Sequence, residues 1–95
     1  MSMRKLLKQA EEMQSRMTKE LDDTVVEASV GGDAVSVRMN GHKKLLGVTF
    51  EEDAMDDREM LADLVVLAVN EASRKVDDKL RNQVGSLAAS MPNLF

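Results

Sequence analysis

The segment GGDAVSVRMNGHKKLLGVTF, residues 31–50, constrains the fold of this chain more than any other part of its sequence. Apolar and polar residues alternate through much of it, which is the period of β-strands with one buried face. Gly31-Gly32-Asp33 predicts one turn, and Asn40-Gly41 predicts a hairpin because both residues tolerate positive φ. The preceding residues alternate in the same way. The sequence therefore predicts three short antiparallel strands within residues 24–50.

Long helical segments flank this predicted sheet on both sides. Apolar residues recur three and four positions apart over residues 2–23, which predicts an amphipathic helix there. A second helix is predicted over residues 57–87, where Asp56 and Glu59 have the spacing of a capping box. The first half of that helix is apolar around most of its circumference, so we expect it to be buried on more than one side. The apolar positions of the first helix are Met3, Leu6, Leu7, Ala10, Met13, Met17 and Leu21.

A three-stranded sheet of this size is not stable alone, and its apolar face needs a cover. The predicted fold is an α+β domain of order α-β-β-β-α over residues 1–88, followed by a flexible tail over residues 89–95. One helix cannot cover the sheet and also bury its own second apolar face, whereas a second copy of the chain can. We therefore expect a twofold homodimer, the commonest closed assembly. The predicted interface residues are Leu61, Leu64, Val65, Ala68, Val69, Val48 and Phe50.

Composition disfavours an enzyme. The chain has no cysteine and a single histidine, His42, which we expect to be exposed; neither a metal site nor a nucleophilic triad can be assembled from these. The acidic run at residues 51–57 lacks the spacing of a calcium loop, and residues 31–33 lack the Lys-Ser/Thr of a phosphate loop. No apolar run is long enough to span a membrane, and the lack of cysteine fits a reducing cytoplasm. We predict no catalytic residue, cofactor, metal site or membrane partner.

Four segments, in this order along the chain, resemble the YbaB/EbfC family of bacterial nucleoid-associated proteins. They are MRKLLKQAEEMQ, GGDAVSVRMNG, LADLVVLAVNEA and MPNLF, and the resemblance covers nearly the whole chain. The glycine pair, the Asn-Gly turn and the pattern D-L-x-x-x-A-x-N-x-A are specific in combination. The resemblance implies a tweezers-like homodimer in the nucleoid whose projecting helices bind duplex DNA. It also implies that binding shapes the nucleoid and influences gene expression.

The distribution of charge is compatible with DNA binding. The net charge is −4, but residues 1–19 carry five bases and two acids, whereas residues 51–63 carry seven acids and one base. Lysine and arginine contacts to phosphates give affinity without reading base sequence. We therefore consider the basic residues of both helices as candidates. The candidate DNA-binding residues are Arg4, Lys5, Lys8, Arg16, Arg74, Lys75, Lys79 and Arg81.

The sequence leaves alternatives open. Lys8, Glu12, Arg16 and Glu20 are four apart with alternating sign, so they could form ion pairs on a solvated face instead of contacting DNA. The bases of the second helix could form a solvated face as well. The methionine-rich stripe of the first helix also fits a protein-interaction module that binds a partner in replication or recombination. The two functions differ in salt dependence, since phosphate contacts weaken steeply as salt rises.

Overall fold

The computed structural model describes residues 2–90, with side chains described as far as residue 85. Within these residues the element order is the predicted α-β-β-β-α, and the three strands form one antiparallel sheet in the order β1-β2-β3. The predicted α+β fold is therefore confirmed. Its elements are helix α1 (Met3–Asp23), strands β1 (Val25–Val30), β2 (Val35–Asn40) and β3 (Leu45–Phe50), a 3-10 helix (Glu52–Asp56) and helix α2 (Arg58–Ser90).

Helix α1 begins at a side-chain cap and projects from the rest of the protein. The Ser2 hydroxyl accepts a hydrogen bond from the Lys5 amide at 3.2 Å, which satisfies one free N–H group of the first turn. No residue of α1 is fully buried, and its apolar positions face solvent except for Leu21, which is half-buried beside Gly41. The radius of gyration is 18.8 Å. A compact chain of this length would have roughly 12 Å, so the molecule is elongated.

Helix α2 begins one residue later than the predicted capping box implies. The Asp57 carboxylate accepts a hydrogen bond from the Met60 amide at 3.1 Å. Asp56 does not cap α2, because it is the last residue of the 3-10 helix. At its other end α2 continues to Ser90, past the predicted end at residue 87. It therefore includes the first two residues of the predicted tail, and the remainder of that tail lies outside the described residues.

The hydrophobic core forms between two strands and the middle of α2. Ala68, Ala72 and Val76 are fully excluded from solvent where α2 packs across β1 and β2. Their spacing of four residues places them on one side of the helix. Burying a valine side chain such as Val76 stabilises the fold by about 1.5–3 kcal/mol relative to leaving it exposed. The buried strand residues of this core are Val26, Ala28, Val35, Val37 and Met39.

The two turns of the sheet differ in how they are closed. The predicted turn at residues 31–33 is present, and Gly31, Gly32 and Asp33 all have positive φ, between 65° and 71°. The predicted Asn40-Gly41 turn is wrong in detail, because neither residue has positive φ and the loop extends to Lys43, whose φ is 64°. The buried Asn40 side chain closes this longer loop. Its Oδ1 accepts hydrogen bonds from the amides of residues 42 and 44, at 2.9 and 3.0 Å.

Candidate nucleic-acid interface

The loop that follows β2 attaches α1 to the body of the protein. The Gly41 amide donates to the Leu21 carbonyl at 2.8 Å, and a Cβ at position 41 would lie only 2.8 Å from that same oxygen. Glycine is therefore required here by a close backbone approach. His42 is exposed as predicted, and its Nε2 lies 3.1 Å from an Asp22 carboxylate oxygen and 3.2 Å from the Thr18 carbonyl oxygen. These contacts hold the C-terminal end of α1.

The same loop contacts α2, so both helices meet the body at one end of the sheet. Lys43 Nζ lies 2.9 Å from Asp77 Oδ1. Beyond that point α2 continues through residues 78–90, a length of about 20 Å at 1.5 Å per residue. Helix α1 meets the body chiefly at β2, and its 21 residues extend for about 31 Å. Two helical arms therefore leave the body near this loop.

The basic side chains of α1 are exposed and carry no ion pair in the part of the chain that the structure describes. Arg4, Lys5, Lys8 and Arg16 have no carboxylate oxygen within 4.0 Å among residues 2–90. The alternative ladder of ion pairs through Glu12 is therefore absent from this arm, although three of its members line one shallow groove. Exposed i,i+4 pairs contribute only about 0.3–0.5 kcal/mol, so little is lost by leaving them open.

Two arginines of α2, Arg74 and Arg81, are already paired with carboxylates, whereas Arg58 at the start of the helix has no carboxylate oxygen within 4.0 Å among residues 2–90. Arg74 forms ion pairs with Glu71 and with Asp78, the latter at 2.9 Å, and Arg81 lies 3.4 Å from Asp78. The hydrogen bond from Arg74 lowers the pKa of Glu71 below its ordinary value, and the same bond raises the pKa of Arg74. Both arginines are exposed, but a new anion would have to compete with these carboxylates.

The two candidate lysines of α2 differ from each other. Lys75 Nζ donates to the Glu27 carbonyl at 2.8 Å, which ties α2 to the edge strand β1. Lys79 is exposed and, within residues 2–90, has no such contact. The sequence prediction also omitted Lys19, a fifth exposed base on α1 that the charge count alone could have added. Five bases with neither an ion pair nor a side-chain hydrogen bond therefore lie on α1, and the others among residues 2–90 are Lys44, Arg58 and Lys79.

Helix α1 also exposes a row of large apolar side chains, which we call the α1 seam. These side chains are 49–74% exposed, although they occupy one stripe of an amphipathic helix. Contiguous apolar surface of this kind on a folded protein marks an interaction site. The α1 seam consists of Met3, Leu6, Leu7, Met13 and Met17.

A second apolar surface lies between α2 and β3, because α2 packs over β1 and β2 and leaves β3 partly uncovered. Lys75 marks the side of α2 that faces β1, and Val65 and Val69 lie on the other side, towards β3. Both valines are half-buried, as is Val48, and Phe50 is 45% exposed. We call Val48, Phe50, Val65 and Val69 the trough.

The structure separates the predicted interface residues into three groups. The trough contains four of them. Leu61 and Leu64 are half-buried, and Leu64 packs beside Gly31 at the turn between β1 and β2. Ala68 does not fit the predicted interface, because its side chain is completely buried against the protomer's own sheet and is unavailable to a partner. Sequence reasoning missed the exposed Val66, next to the trough, because it lies in a continuous apolar run.

Neither a membrane-spanning helix nor a metal-binding cluster is present in the described residues. Between residues 2 and 90 no helix has the length and apolar character needed to cross a bilayer. In the same range no three histidine, aspartate or glutamate side chains come together in a way that would hold a metal ion. Three exposed surfaces are candidates for binding duplex DNA or a protein: the bases of α1, the α1 seam and the trough.

These features define a class: small α+β binding proteins in which an exposed helix presents unpaired bases. The YbaB/EbfC DNA-binding family profile matches residues 1–91. A nucleoid-associated protein of Acidobacterium capsulatum is 44% identical, over 98% of this chain and 95% of its own length. A nucleoid-associated protein of Chloroflexus aurantiacus is 38% identical over the full length of both chains. The chain therefore belongs to the YbaB/EbfC DNA-binding family, and the predicted family is confirmed.

A solved structure shares the fold. The crystal structure of an uncharacterized protein from Helicobacter pylori aligns with a TM-score of 0.67 over 86% of this chain and 98% of that chain. The two sequences are 23% identical. At that identity the likeness establishes the fold and leaves the assignment of function to the site itself.

Proposed function

We propose that this protein binds duplex DNA in the nucleoid as a homodimer, chiefly through phosphate contacts made by α1. Membership of a DNA-binding family supports DNA as the partner. One observation carries the assignment to α1: its bases are exposed without a carboxylate partner among residues 2–90, whereas Arg74 and Arg81 are paired. A phosphate that approaches α1 displaces water. A phosphate that approaches Arg74 must also displace Glu71 and Asp78.

The arrangement of charge on α1 suits contacts with the DNA backbone. At about 100° per residue, Arg4, Lys5 and Lys8 fall on one arc roughly opposite the α1 seam. Such contacts position a protein on the duplex without reading base sequence. The chain has no tryptophan or tyrosine and two phenylalanines, one of which, Phe50, lies in the trough. Base stacking, which dominates single-strand binding, is therefore poorly supported.

Dimerisation through the trough would serve both stability and binding. A second copy placed over β3 would bury Phe50 and the exposed flank of α2 that one protomer leaves open. It would also present two α1 helices to the same duplex, so that the second contact forms at a raised effective concentration. This is the tweezers-like arrangement that the resemblance implies, and such binding would shape DNA and influence gene expression.

A salt titration of duplex binding by fluorescence anisotropy tests this function. The α1 variant changes Arg4, Lys5, Lys8 and Arg16 to glutamine, and a matched α2 variant changes Arg74, Lys75, Lys79 and Arg81. Affinity of the wild type should fall with salt, with a logarithmic slope of about −0.9 per neutralised phosphate. The α1 variant should show a slope shallower by about 0.9 for each lost contact. The α2 variant should stay closer to wild type.

Two outcomes would contradict the proposal. An α2 variant that loses as much affinity and slope as the α1 variant would remove the assignment to α1. A wild-type protein that does not bind duplex DNA at low salt would favour the second candidate function, a dimeric interaction module. The exposed α1 seam supports that alternative, with a protein partner in replication or recombination. Binding through the seam would persist at high salt.

A further inference from the structure

Part of α2 presents an exposed apolar surface that neither the core nor the trough uses. Met60 and Leu67 are 45% and 55% exposed and lie seven residues apart, so they share one face of the helix. Leu64, on the same side, packs at the turn between β1 and β2. This face is therefore turned away from β3 and from the trough. We call Met60, Leu67 and the exposed Asp63 between them the α2 strip.

We propose that the α1 seam of one copy docks on the α2 strip of another copy and so joins dimers to one another. The two surfaces are complementary in charge as well as apolar. The strip contains the exposed carboxylate of Asp63 and follows the acidic run at residues 51–59. On α1, Arg16 is three positions from Met13 and lies on the face next to the seam, whereas Arg4, Lys5 and Lys8 lie on the opposite arc. Arg16 of one copy can therefore pair with Asp63 of another.

The geometry of the protomer explains why the occupant is a second copy. The amide of Glu51 donates to the carbonyl of Ala34 at 2.9 Å, so the segment that leads into α2 lies beside the start of β2. Helix α1 is attached by Gly41, just after the end of β2. The segment that leads into α2 and the attachment point of α1 are therefore about 17 Å apart along β2, and α1 extends from the end of β2. Seam and strip are accordingly both exposed within one protomer.

The contact would be heterologous, since a seam meets a strip rather than another seam. A copy that is bound through its seam keeps its strip free, and a copy that is bound through its strip keeps its seam free. The contact can therefore repeat from copy to copy. The arc of α1 with Arg4 and Lys8 stays on the outside, where it remains available to phosphate. The inference goes beyond DNA binding and depends on the proposed trough dimer only for its repeating unit.

Sedimentation velocity of the full chain without DNA tests the contact. Wild type should form species larger than the dimer, in a fraction that rises with protein concentration. Met13→Glu removes the centre of the seam, and Leu67→Glu removes the strip. Either change should leave only the dimer, and because both side chains are exposed the fold should survive, as circular dichroism can verify. Val84→Glu, an exposed apolar site outside both surfaces, is the matched control and should assemble like wild type.

Mixing the two variants tests the heterologous geometry. Met13→Glu retains its strip and Leu67→Glu retains its seam, so an equimolar mixture should again form species larger than the dimer. Three results would each overturn the proposal. The wild type could have one size at all concentrations, either variant could assemble like wild type, or the mixture of variants could stay dimeric. Because no DNA is present, these outcomes are independent of the DNA-binding proposal. Adding Phe50→Glu to the Met13→Glu variant, which lacks the seam contact, should give monomers if the trough holds the dimer, so this double variant reports on the trough alone.

Discussion

Replacing Gly41 by alanine should loosen the attachment of α1 and leave the body folded. The added Cβ would lie 2.8 Å from the Leu21 carbonyl oxygen and 3.0 Å from the Leu21 Cα. Both atoms belong to the backbone of α1, so no flexible side chain can move aside to relieve the contact. The helix itself must shift, and the 2.8 Å hydrogen bond from the residue 41 amide to Leu21 is then weakened or lost.

The expected magnitude follows from these contacts. Overpacking costs about 1–3 kcal/mol, and a hydrogen bond of this kind contributes about 1 kcal/mol. Gly41 does not have positive φ, so alanine adds no backbone strain and recovers about 0.4–1 kcal/mol by restricting the unfolded chain. The cost also has an upper limit, because α1 buries no residue and can detach without opening the core. We expect a net loss of about 1–2 kcal/mol in the free energy of unfolding.

Urea denaturation and hydrogen exchange measure this effect. The midpoint of unfolding should fall, and exchange should accelerate most at residues 18–24 and 41–44. The amides of β1 and β2, which open with the core, should lose protection by no more than the loss of about 1–2 kcal/mol in global stability. Gly47→Ala is the matched control, since a Cβ there has no neighbour within 4 Å. A Gly41→Ala protein with the wild-type midpoint and wild-type exchange near Leu21 would refute the argument from close approach.

Three further predictions concern other parts of the molecule. Gly85→Ala should raise the free energy of unfolding by about 0.5–1 kcal/mol in denaturant titration, because alanine suits a helix better and a Cβ there meets nothing; an unchanged value would contradict this. Arg74→Gln should raise the pKa of Glu71 in a carboxyl NMR titration. Because the pKa of Glu71 is lowered in the folded protein, the Glu71–Arg74 pair stabilises the fold at pH values above the pKa of Glu71 in the unfolded chain. This stabilisation is lost as the pH falls through the folded-state pKa. The Arg74→Gln variant should therefore lose less stability in acid than wild type. In a Met13→Glu background, where the α1 seam is removed, Val69→Glu should give monomers in size-exclusion chromatography if the trough is the dimer interface, whereas Val84→Glu should leave the dimer intact.

The sequence was sufficient to predict the sheet. Residues of β1 and β2 alternate between buried and exposed, because a strand that packs one face on a helix repeats every two residues. The periods of the two helices were equally local signals. A property that depends only on neighbouring residues can be read from the chain in this way.

The remaining features depend on contacts between distant residues. Asn40-Gly41 has the composition of a two-residue hairpin, yet glycine is needed there because Leu21 approaches it from another element. The apolar run around Ala68 hides which side of α2 faces the sheet, so a buried core residue was assigned to the interface. Spacing along the helix also does not decide which bases are paired, since the sequence offers carboxylates at helical spacing to Arg16 and to Arg74 alike. Among the described residues only Arg74 pairs with them.

The absence of buried residues in α1 has a consequence for how the protein folds. The sheet and α2 share one core and should form and melt together, whereas α1 lacks most of the tertiary packing that stabilises helices in proteins. Its helix–coil equilibrium is then nearly independent of the global one. A partner that selects the helical form raises the helical fraction by mass action. The arm can therefore order on contact and relax on release, while the body that carries it remains in a single folded state.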